Sequence, residues 1–587
     1  MNTAVFESFR TSNDEWSAYF GRPIASWFSH SLDEVLPALN WAEQSALNGY
    51  WVAIVLSYEA APAFDHVLRV HSGEEFPLVC VLVFDKRHAC SFPQTNSHKL
   101  YQTSPWHPRI TYDKYHRDVR RILKHITAGD TYQVNYSFPL RCEFTGSSWD
   151  WYRDLCSAQQ AGFCAYLDLG RYYLLSLSPE LFFQRSGNRL VTRPMKGTMP
   201  RGRWLEEDDT KAKELRASQK NQAENVMIAD LLRNDLGKIS VPGSVKLTEL
   251  FGLEKYDSLW QMTSTIESEC QAGLKLTDIF RALFPCGSIT GAPKIRTMEI
   301  IYELETLTRD IYTGAIGFLK PGGDCIFNVA IRTILLDTQT GQATFGIGGG
   351  ITSDSTSAAE YEEAVLKASF LNRKRPQFRL LETILLEDGE YFLLERHLKR
   401  MVASARYFDF VWNEGTAVSL LEAMRARYQT GSWKVRLLAA RNGGLDTEVE
   451  ALALASNSEM RVAFAAEPID CANPFMFHKT TNRAVYESEL QAKPDYDDII
   501  LWNPNNEVTE SSIANIVVQL DGVKWTPPRT SGLLAGAFRD ELLQKGEIRE
   551  RVIDKEEICR AESLWLINSV RKWMPAAFCN NEQFASL

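Results

Sequence analysis

No cysteine pair in this sequence is spaced Cys-x-x-Cys, and the eleven cysteines stand in no zinc-like register with the ten histidines. Metal-thiolate chemistry is therefore not expected, and reduced thiols are the plain reading. Long apolar runs are missing too: the longest, Phe76 to Phe84, is far short of a membrane span. Met1 to Trp16 has no apolar signal core, so a cytoplasmic protein is expected. Positive charge is outnumbered, 64 Lys and Arg against 74 Asp and Glu. The net charge is -10 at pH 7 and no Lys/Arg run exceeds Arg373-Lys374-Arg375, which argues against nucleic acid and membrane surfaces as partners. A small-molecule substrate is what these absences leave.

What is present is a core-rich chain of 587 residues, 45% hydrophobic and 24% charged, long enough for more than one domain. Tyr50 to Leu56 and Pro77 to Phe84 read as buried strands. Tyr115 to His125 reads as a helix with Val119, Ile122 and Leu123 on one face, stopped at Ala128-Gly129-Asp130 before Tyr132-Gln133-Val134-Asn135. These segments read as scaffold.

Chemistry concentrates around Lys196. Pro194 fixes the backbone before it and Gly197 removes a side chain after it, which predicts a lysine held in a turn. Leu181-Phe182-Phe183 and Leu190-Val191-Thr192 flank Ser186-Gly187-Asn188, a hairpin pattern that brings Glu180 and Lys196 together. By itself such a pair is either a structural salt bridge or a catalytic couple.

Carboxylates follow. Met227, Ile228, Leu231 and Leu232 recur at helical spacing, and stepping back from them puts Glu224 on the buried face, to be met by Arg233-Asn234-Asp235 or by a divalent cation. Ser357 and Glu360 have capping-box spacing, and Glu360, Glu363 and Lys367 form one helical stripe, which alone is also the pattern of a solvated face. Gly346-Ile347-Gly348-Gly349-Gly350-Ile351 reads as a glycine-rich turn whose N–H groups meet an anion. Acids for a metal and amides for an anion suggest a metal-chelated carboxylate ligand, with magnesium suiting an oxygen-only site. Pro285 to Lys294 is a small-residue turn with proline at the first helical position, placed to close over a ligand. Phe327 to Thr333 reads as a strand in which Arg332 pairs internally or fixes a carboxylate bidentately.

Six motifs in one order, Ser178-Pro179-Glu180, Pro194-Met195-Lys196-Gly197-Thr198, Glu224 before Met227 to Asp235, Gly291-Ala292-Pro293-Lys294, Ala330-Ile331-Arg332-Thr333 and Glu360-Tyr361-Glu362-Glu363, resemble the chorismate-utilising enzymes over roughly residues 1 to 370. Lysine at 196, where anthranilate synthases have alanine, makes the chain similar to component I of aminodeoxychorismate synthase. That resemblance implies an α+β unit of two large antiparallel sheets face to face with helices outside. It also implies that Lys196 attacks C2 of chorismate, Glu180 protonates the departing 4-hydroxyl, and ammonia adds at C4. Glu224, Glu360 and Glu363 would hold Mg2+, while Thr290, Tyr312, Arg332, Gly348, Gly349, Gly350 and Lys367 would hold substrate. Asn221 departs from the acid common in the family. No Gly-x-Cys-x-Gly nucleophile elbow with a downstream His and Glu is present, so ammonia is expected from a separate glutamine amidotransferase subunit.

A boundary is expected at 372–378, dividing 1–371 (sheet region 1–100, binding region 115–371) from 379–587. The second module opens with a hairpin around Asp388-Gly389 and a helix carrying His397 to Arg400. Lys479 ends an aromatic stretch, Glu510 follows an Asn-rich turn, and Gly536-Ala537 runs into a helix start. A lysine, a carboxylate, an arginine and helix-start amides suit pyridoxal 5'-phosphate. His478-Lys479-Thr480-Thr481-Asn482-Arg483 with Asn568-Ser569-Val570-Arg571 resembles aminodeoxychorismate lyase among the fold-type IV enzymes, over about 380 to 575. The resemblance implies a two-subdomain α/β unit in which Lys479 carries the cofactor, Glu510 meets its ring nitrogen, and Arg400, Gly536 and Ala537 hold its phosphate. It further implies that the unit pairs with a second copy as a homodimer through this C-terminal domain. Two departures stand out: shortened strands before Glu382-Thr383, and Ala535 where proline is common. The whole then resembles a fusion that makes 4-amino-4-deoxychorismate and removes pyruvate to leave 4-aminobenzoate. The alternatives are a C-terminal aminotransferase or a catalytically silent dimerisation module.

Overall fold

The computed structural model describes residues 3–9, 14–73, 75–88, 100–372, 376–452 and 459–579. It divides into two units, Met1–Pro200 with Ala212–Arg375, and Arg201–Lys211 with Pro376–Leu587. The excursion of 201–211 into the second unit has no counterpart in the sequence reading. Residues 373–375 of the expected linker lie outside the described residues.

The first unit is built on two ten-stranded sheets. Their strands are near-continuous apolar runs because both faces are covered: all six residues of Val79–Phe84 are buried. Between the sheets lies a core of Phe6, Phe20, Val55, Leu82, Leu174 and Phe318. Helix Leu32–Leu47 covers one outer face through Val35, Ala38 and Leu39. Helix Tyr112–Thr127 covers the other, capped by Thr111, whose hydroxyl accepts from the Lys114 N–H.

Five local expectations are corrected. Gly346 to Ile351 is no turn: it belongs to strand Gln342–Ile351, which pairs antiparallel with Gln133–Gly146 along its length. Its glycines answer to crowding, since a Cβ on Gly346 would sit 2.1 Å from the Tyr312 ring and one on Gly348 2.4 Å from the Tyr136 carbonyl. Lys196 likewise sits in a strand, Met195–Pro200, where the register against Leu259–Glu269 slips between Met195 and Thr198. The cap of helix Ser357–Lys367 is Thr356, one residue earlier than the capping-box spacing placed it. Arg332 is not in a strand but at the corner between Cys325–Val329 and Thr333–Asp337, with φ +52°. Pro293 is the N-cap of helix Lys294–Leu304, not its first residue.

The second unit holds a four-stranded and an eight-stranded sheet. The smaller is antiparallel, with Leu380–Glu387 turning through Asp388 and Gly389 (φ +48° and +77°) into Glu390–Tyr391, as the Asp-Gly signal requires. The larger mixes antiparallel with parallel pairs, Met460–Phe464 lying parallel to Asp498–Trp502. Each sheet has its own core, around Ile384, Met401 and Val435 in one and Val462, Ile516 and Leu566 in the other. No helix among the described residues is long and apolar enough to cross a membrane.

Candidate active sites

A cavity of about 410 Å³ opens in the first unit, lined by Glu180, Lys196, Glu224, Tyr312, Arg332, Gly348 to Gly350, Glu360, Glu363 and Lys367. The scattered sequence motifs meet there. A smaller space of about 50 Å³ behind Tyr312 and Gly346 is too small for a ring acid.

Lys196 reaches the cavity because of its strand bulge, in which Gly197 takes φ +86°. The loosened backbone is tied down by side chains: Gln261 Nε2 donates to the Gly197 carbonyl at 2.9 Å and Asn225 Nδ2 to that of Lys196 at 3.4 Å. Asn225 is itself held by the Ser264 hydroxyl. Burial lowers the Lys196 pKa, opposed by the Glu180 charge. Glu180 is 3% exposed and accepts from the Ser288 hydroxyl at 2.7 Å. Burial lifts its pKa to about 7. The pair is thus an acid that keeps its proton near neutrality and an amine eased toward its neutral form.

Opposite stand anion-binding groups. The Arg332 guanidinium faces the cavity with no carboxylate partner among the described residues, and burial lowers its pKa. Of strand Gln342–Ile351, Thr333–Asp337 pairs with Gln342 to Phe345 alone, which leaves the edge of Gly346 to Gly350 without a strand partner on the cavity side among the described residues. Lys367 Nζ bridges Glu363, at 2.9 Å, and the Gly348 carbonyl, at 3.1 Å.

Glu224 is half-buried and turned to the cavity; the residue its helix buries is Asn225. The suggested anchor fails, since Arg233 pairs with Asp230 at 2.6 Å. Glu360 accepts from Ser355 at 2.6 Å, and burial together with the Glu363 charge raises its pKa. Among the described residues no three acids form a ready metal cage. The fit to magnesium is that of an open wall: oxygen donors only, two of them crowded enough to repel, with room for a ligand to complete the shell. Thr290 does not reach the cavity; it is fully buried and its hydroxyl donates to the Cys286 carbonyl at 3.1 Å. Ser288, Asn225 and Gln261 are the members that sequence reasoning missed. Ser288 stood inside the small-residue stretch without a role; the other two gave no signal.

In the second unit a cavity of about 660 Å³ is lined by Arg400, Lys479, Glu510, Gly536 and Ala537, the set named from the sequence. The Lys479 carbonyl accepts from the Leu381 N–H at 3.0 Å, which fixes the lysine to strand Leu380–Glu387. Burial, then the Arg400 charge, brings its pKa down to about 8. Glu510 accepts from the Tyr486 hydroxyl at 2.8 Å and the Leu534 N–H at 3.2 Å, and burial lifts it to about 8. Arg400 is braced: it donates to both oxygens of Glu382, at 2.7 and 2.8 Å, and to the Ala535 carbonyl at 2.9 Å. Burial opposes the charge on Glu382, yet Arg400 and His397 bring its pKa to about 2. Glu382 is a partner the sequence reading did not name. Gly536 N-caps helix Ala537–Gln544, and a Cβ there would sit 2.2 Å from Asn515 Oδ1, so only glycine brings this helix start to the cavity. A buried amine, a buried acid and this amide cradle fit pyridoxal phosphate.

Residues 7–373 match the model of the chorismate binding enzyme family, and residues 379–578 that of the class IV amino-transferases. The chain is 43% identical over 267 residues to aminodeoxychorismate synthase component 1 of Salmonella typhimurium, covering 46% of this chain and 58% of that protein. It is 36% identical over 269 residues to anthranilate synthase component 1 of Pseudomonas putida, covering 46% of this chain and 53% of that one. The match thus spans little more than half the length of these curated relatives. Anthranilate synthase component I from Streptococcus pneumoniae shares the fold of the first unit, with TM-score 0.54 and 25% identity over 61% of this chain and 92% of that chain.

Proposed function

The chain belongs to the chorismate binding enzyme family through residues 7–373, and from that membership we propose that it converts chorismate to 4-aminobenzoate in two steps on two sites. The observation that carries the first step is the pair Glu180 and Lys196 in one cavity, an acid at about 7 beside a lysine of lowered pKa. Lys196 attacks C2 of chorismate as both conjugated ring double bonds shift and the 4-hydroxyl leaves as water, taking the Glu180 proton. Ammonia then adds at C4, both double bonds shift back, and Lys196 departs from C2. Arg332 and the free edge of Gly348 to Gly350 orient the two carboxylates of the ring acid. Glu224, Glu360 and Glu363 would hold a magnesium ion, which would offset the charge of the ring carboxylate.

In the second step Lys479 takes the proton from the amine-bearing carbon C4, the C3–O bond breaks, and the ring becomes aromatic as enolpyruvate leaves and is protonated to pyruvate. Pyridoxal phosphate bound there supplies the electron sink for that proton's departure. Glu510 would hold the pyridine nitrogen, and Arg400 with the Gly536 and Ala537 amides would hold its phosphate. The similarity to relatives called component 1 supports a separate glutaminase subunit as the ammonia source. Homodimer formation through the second module, in the cytoplasm, belongs to the same reading.

The test is product analysis. Chorismate, magnesium, ammonium and the cofactor are supplied to the purified chain, and products are resolved by chromatography. We expect 4-aminobenzoate and pyruvate in equal amounts. Anthranilate would overturn the first step; accumulated 4-amino-4-deoxychorismate, with no pyruvate, would assign the second unit to transamination or to a silent role.

A further inference from the structure

The cavity around Lys479 carries more cationic side chains than its chemistry needs, and half of them are neutralised. Arg400 is paired with Glu382 at 2.7 Å, Lys434 with Glu450 at 2.5 Å and Arg436 with Glu448 at 2.6 Å. Besides Lys479, only Arg483 and Arg571 line it without a carboxylate partner among the described residues. The Arg483 side chain is held in place by neutral contacts, and Arg571 is placed by its backbone. Arg483 is half-buried, donates to the Ser512 carbonyl at 2.5 Å and lies 4.8 Å over the Tyr486 ring, the same tyrosine that holds Glu510. Arg571 lies on the exposed rim, its backbone N–H donating to Asn568 Oδ1 at 2.8 Å in the connection between strands Ser563–Asn568 and Lys572–Phe578.

Resting on the lyase reading above, we infer that Arg483 and Arg571 are the specificity residues of the second site and together select a ring dicarboxylate. An arginine fixed on its apolar side and free of an acid is set to receive a carboxylate in two parallel hydrogen bonds. Arg483 lies close enough to Lys479 for its charge to act on the amine. In 4-amino-4-deoxychorismate one carboxylate is carried through the ether on C3, next to the amine-bearing carbon, and the other stands across the ring on C1. The near one meets Arg483 and the far one meets Arg571 at the rim. A simple amino acid offers nothing to the rim arginine, which is how the site excludes ordinary transamination substrates.

The test uses the full-length chain loaded with pyridoxal phosphate, as wild type, Arg483→Gln, Arg483→Lys and Arg571→Gln. Two readouts are taken: KM and kcat for pyruvate release from 4-amino-4-deoxychorismate, and the Kd of chorismate, which has both carboxylates but no amine, from the change it causes in the visible absorbance of the bound cofactor. Loss of a hydrogen-bonded charge predicts KM and Kd raised about ten- to a hundredfold in either Gln variant. The cofactor absorbance of the unliganded protein should hold, and Arg483→Lys should recover part of the loss. KM and Kd within about twofold of wild type in both Gln variants, against the tenfold expected for a lost charged bond, would overturn the inference. If Arg483→Gln fails to fold, Arg571→Gln decides alone. A wild type that binds chorismate in this site yet releases no pyruvate refutes the lyase reading instead, and the Kd values still judge the arginines.

Discussion

Glu180 keeps its proton to about pH 7 because burial outweighs the Ser288 hydroxyl, the Lys196 charge and the Met195 N–H, which favour the charged form. In the proposed step it acts in its protonated form, so amination should fall as pH rises through about 7. Ser288 stabilises the charged form. Its removal therefore raises the pKa, and in Ser288→Ala the alkaline limb of kcat/KM should move up by about one unit, the size expected from one hydrogen bond to a charged group. An unmoved limb would mean that another group is the acid. Lys196→Ala should leave the fold intact and reduce amination by about a thousandfold or more, as loss of a covalent nucleophile does; amination persisting at the wild-type rate would refute the covalent role. At this scale the sequence was half legible. Arg332 stood out because a charge inside an apolar pattern needs a reason, and Glu180 and Lys196 because a hairpin pattern and the Pro194 and Gly197 flanks brought an acid and an amine together. Ser288, Asn225 and Glu382 did not, because a residue that holds another is recognised only by what the fold places beside it.

Among the elements, strands were read where apolar runs are long, and Trp51–Leu56 and Val79–Phe84 fall where the runs put them. Glycines misled. A run of them signals permissive backbone, and a turn was the local answer; the tertiary answer was a strand pressed against Tyr312 and the Gln133–Gly146 strand. The distinction has a consequence. In a turn, Gly346→Ala would cost little. In the crowded strand it must push the Tyr312 ring aside, so we expect a loss of about 1–3 kcal/mol, as overpacking gives, seen as a lower melting temperature of the first unit. Because Tyr312 also lines the catalytic cavity, the KM for chorismate should rise as well. An alanine variant with unchanged melting and unchanged KM would show that the ring is not wedged there.

For the whole molecule, the two sites make different demands, and this separates their chemistry in one test tube. Oxygen donors wall the first cavity, whereas the second pairs its charges or fits them to a cofactor that needs no metal. A chelator should therefore stop amination and spare pyruvate release from supplied 4-amino-4-deoxychorismate; equal loss of both would place the metal elsewhere. The lysines give the sharper experiment. Lys479→Ala leaves no base at C4, so chorismate and ammonium should accumulate 4-amino-4-deoxychorismate at the wild-type rate, with the visible absorbance of the loaded protein lost. Lys196→Ala should show the mirror image, consuming supplied 4-amino-4-deoxychorismate normally while leaving chorismate untouched. Mixed in equal amounts, the two variants should restore 4-aminobenzoate only as fast as the intermediate diffuses between chains. A lag before product, lengthening on dilution, is expected, because each variant contributes one intact site and a released intermediate must find the other by collision. 4-Aminobenzoate formed by Lys479→Ala alone, as fast as by wild type, would sink the assignment of the second site.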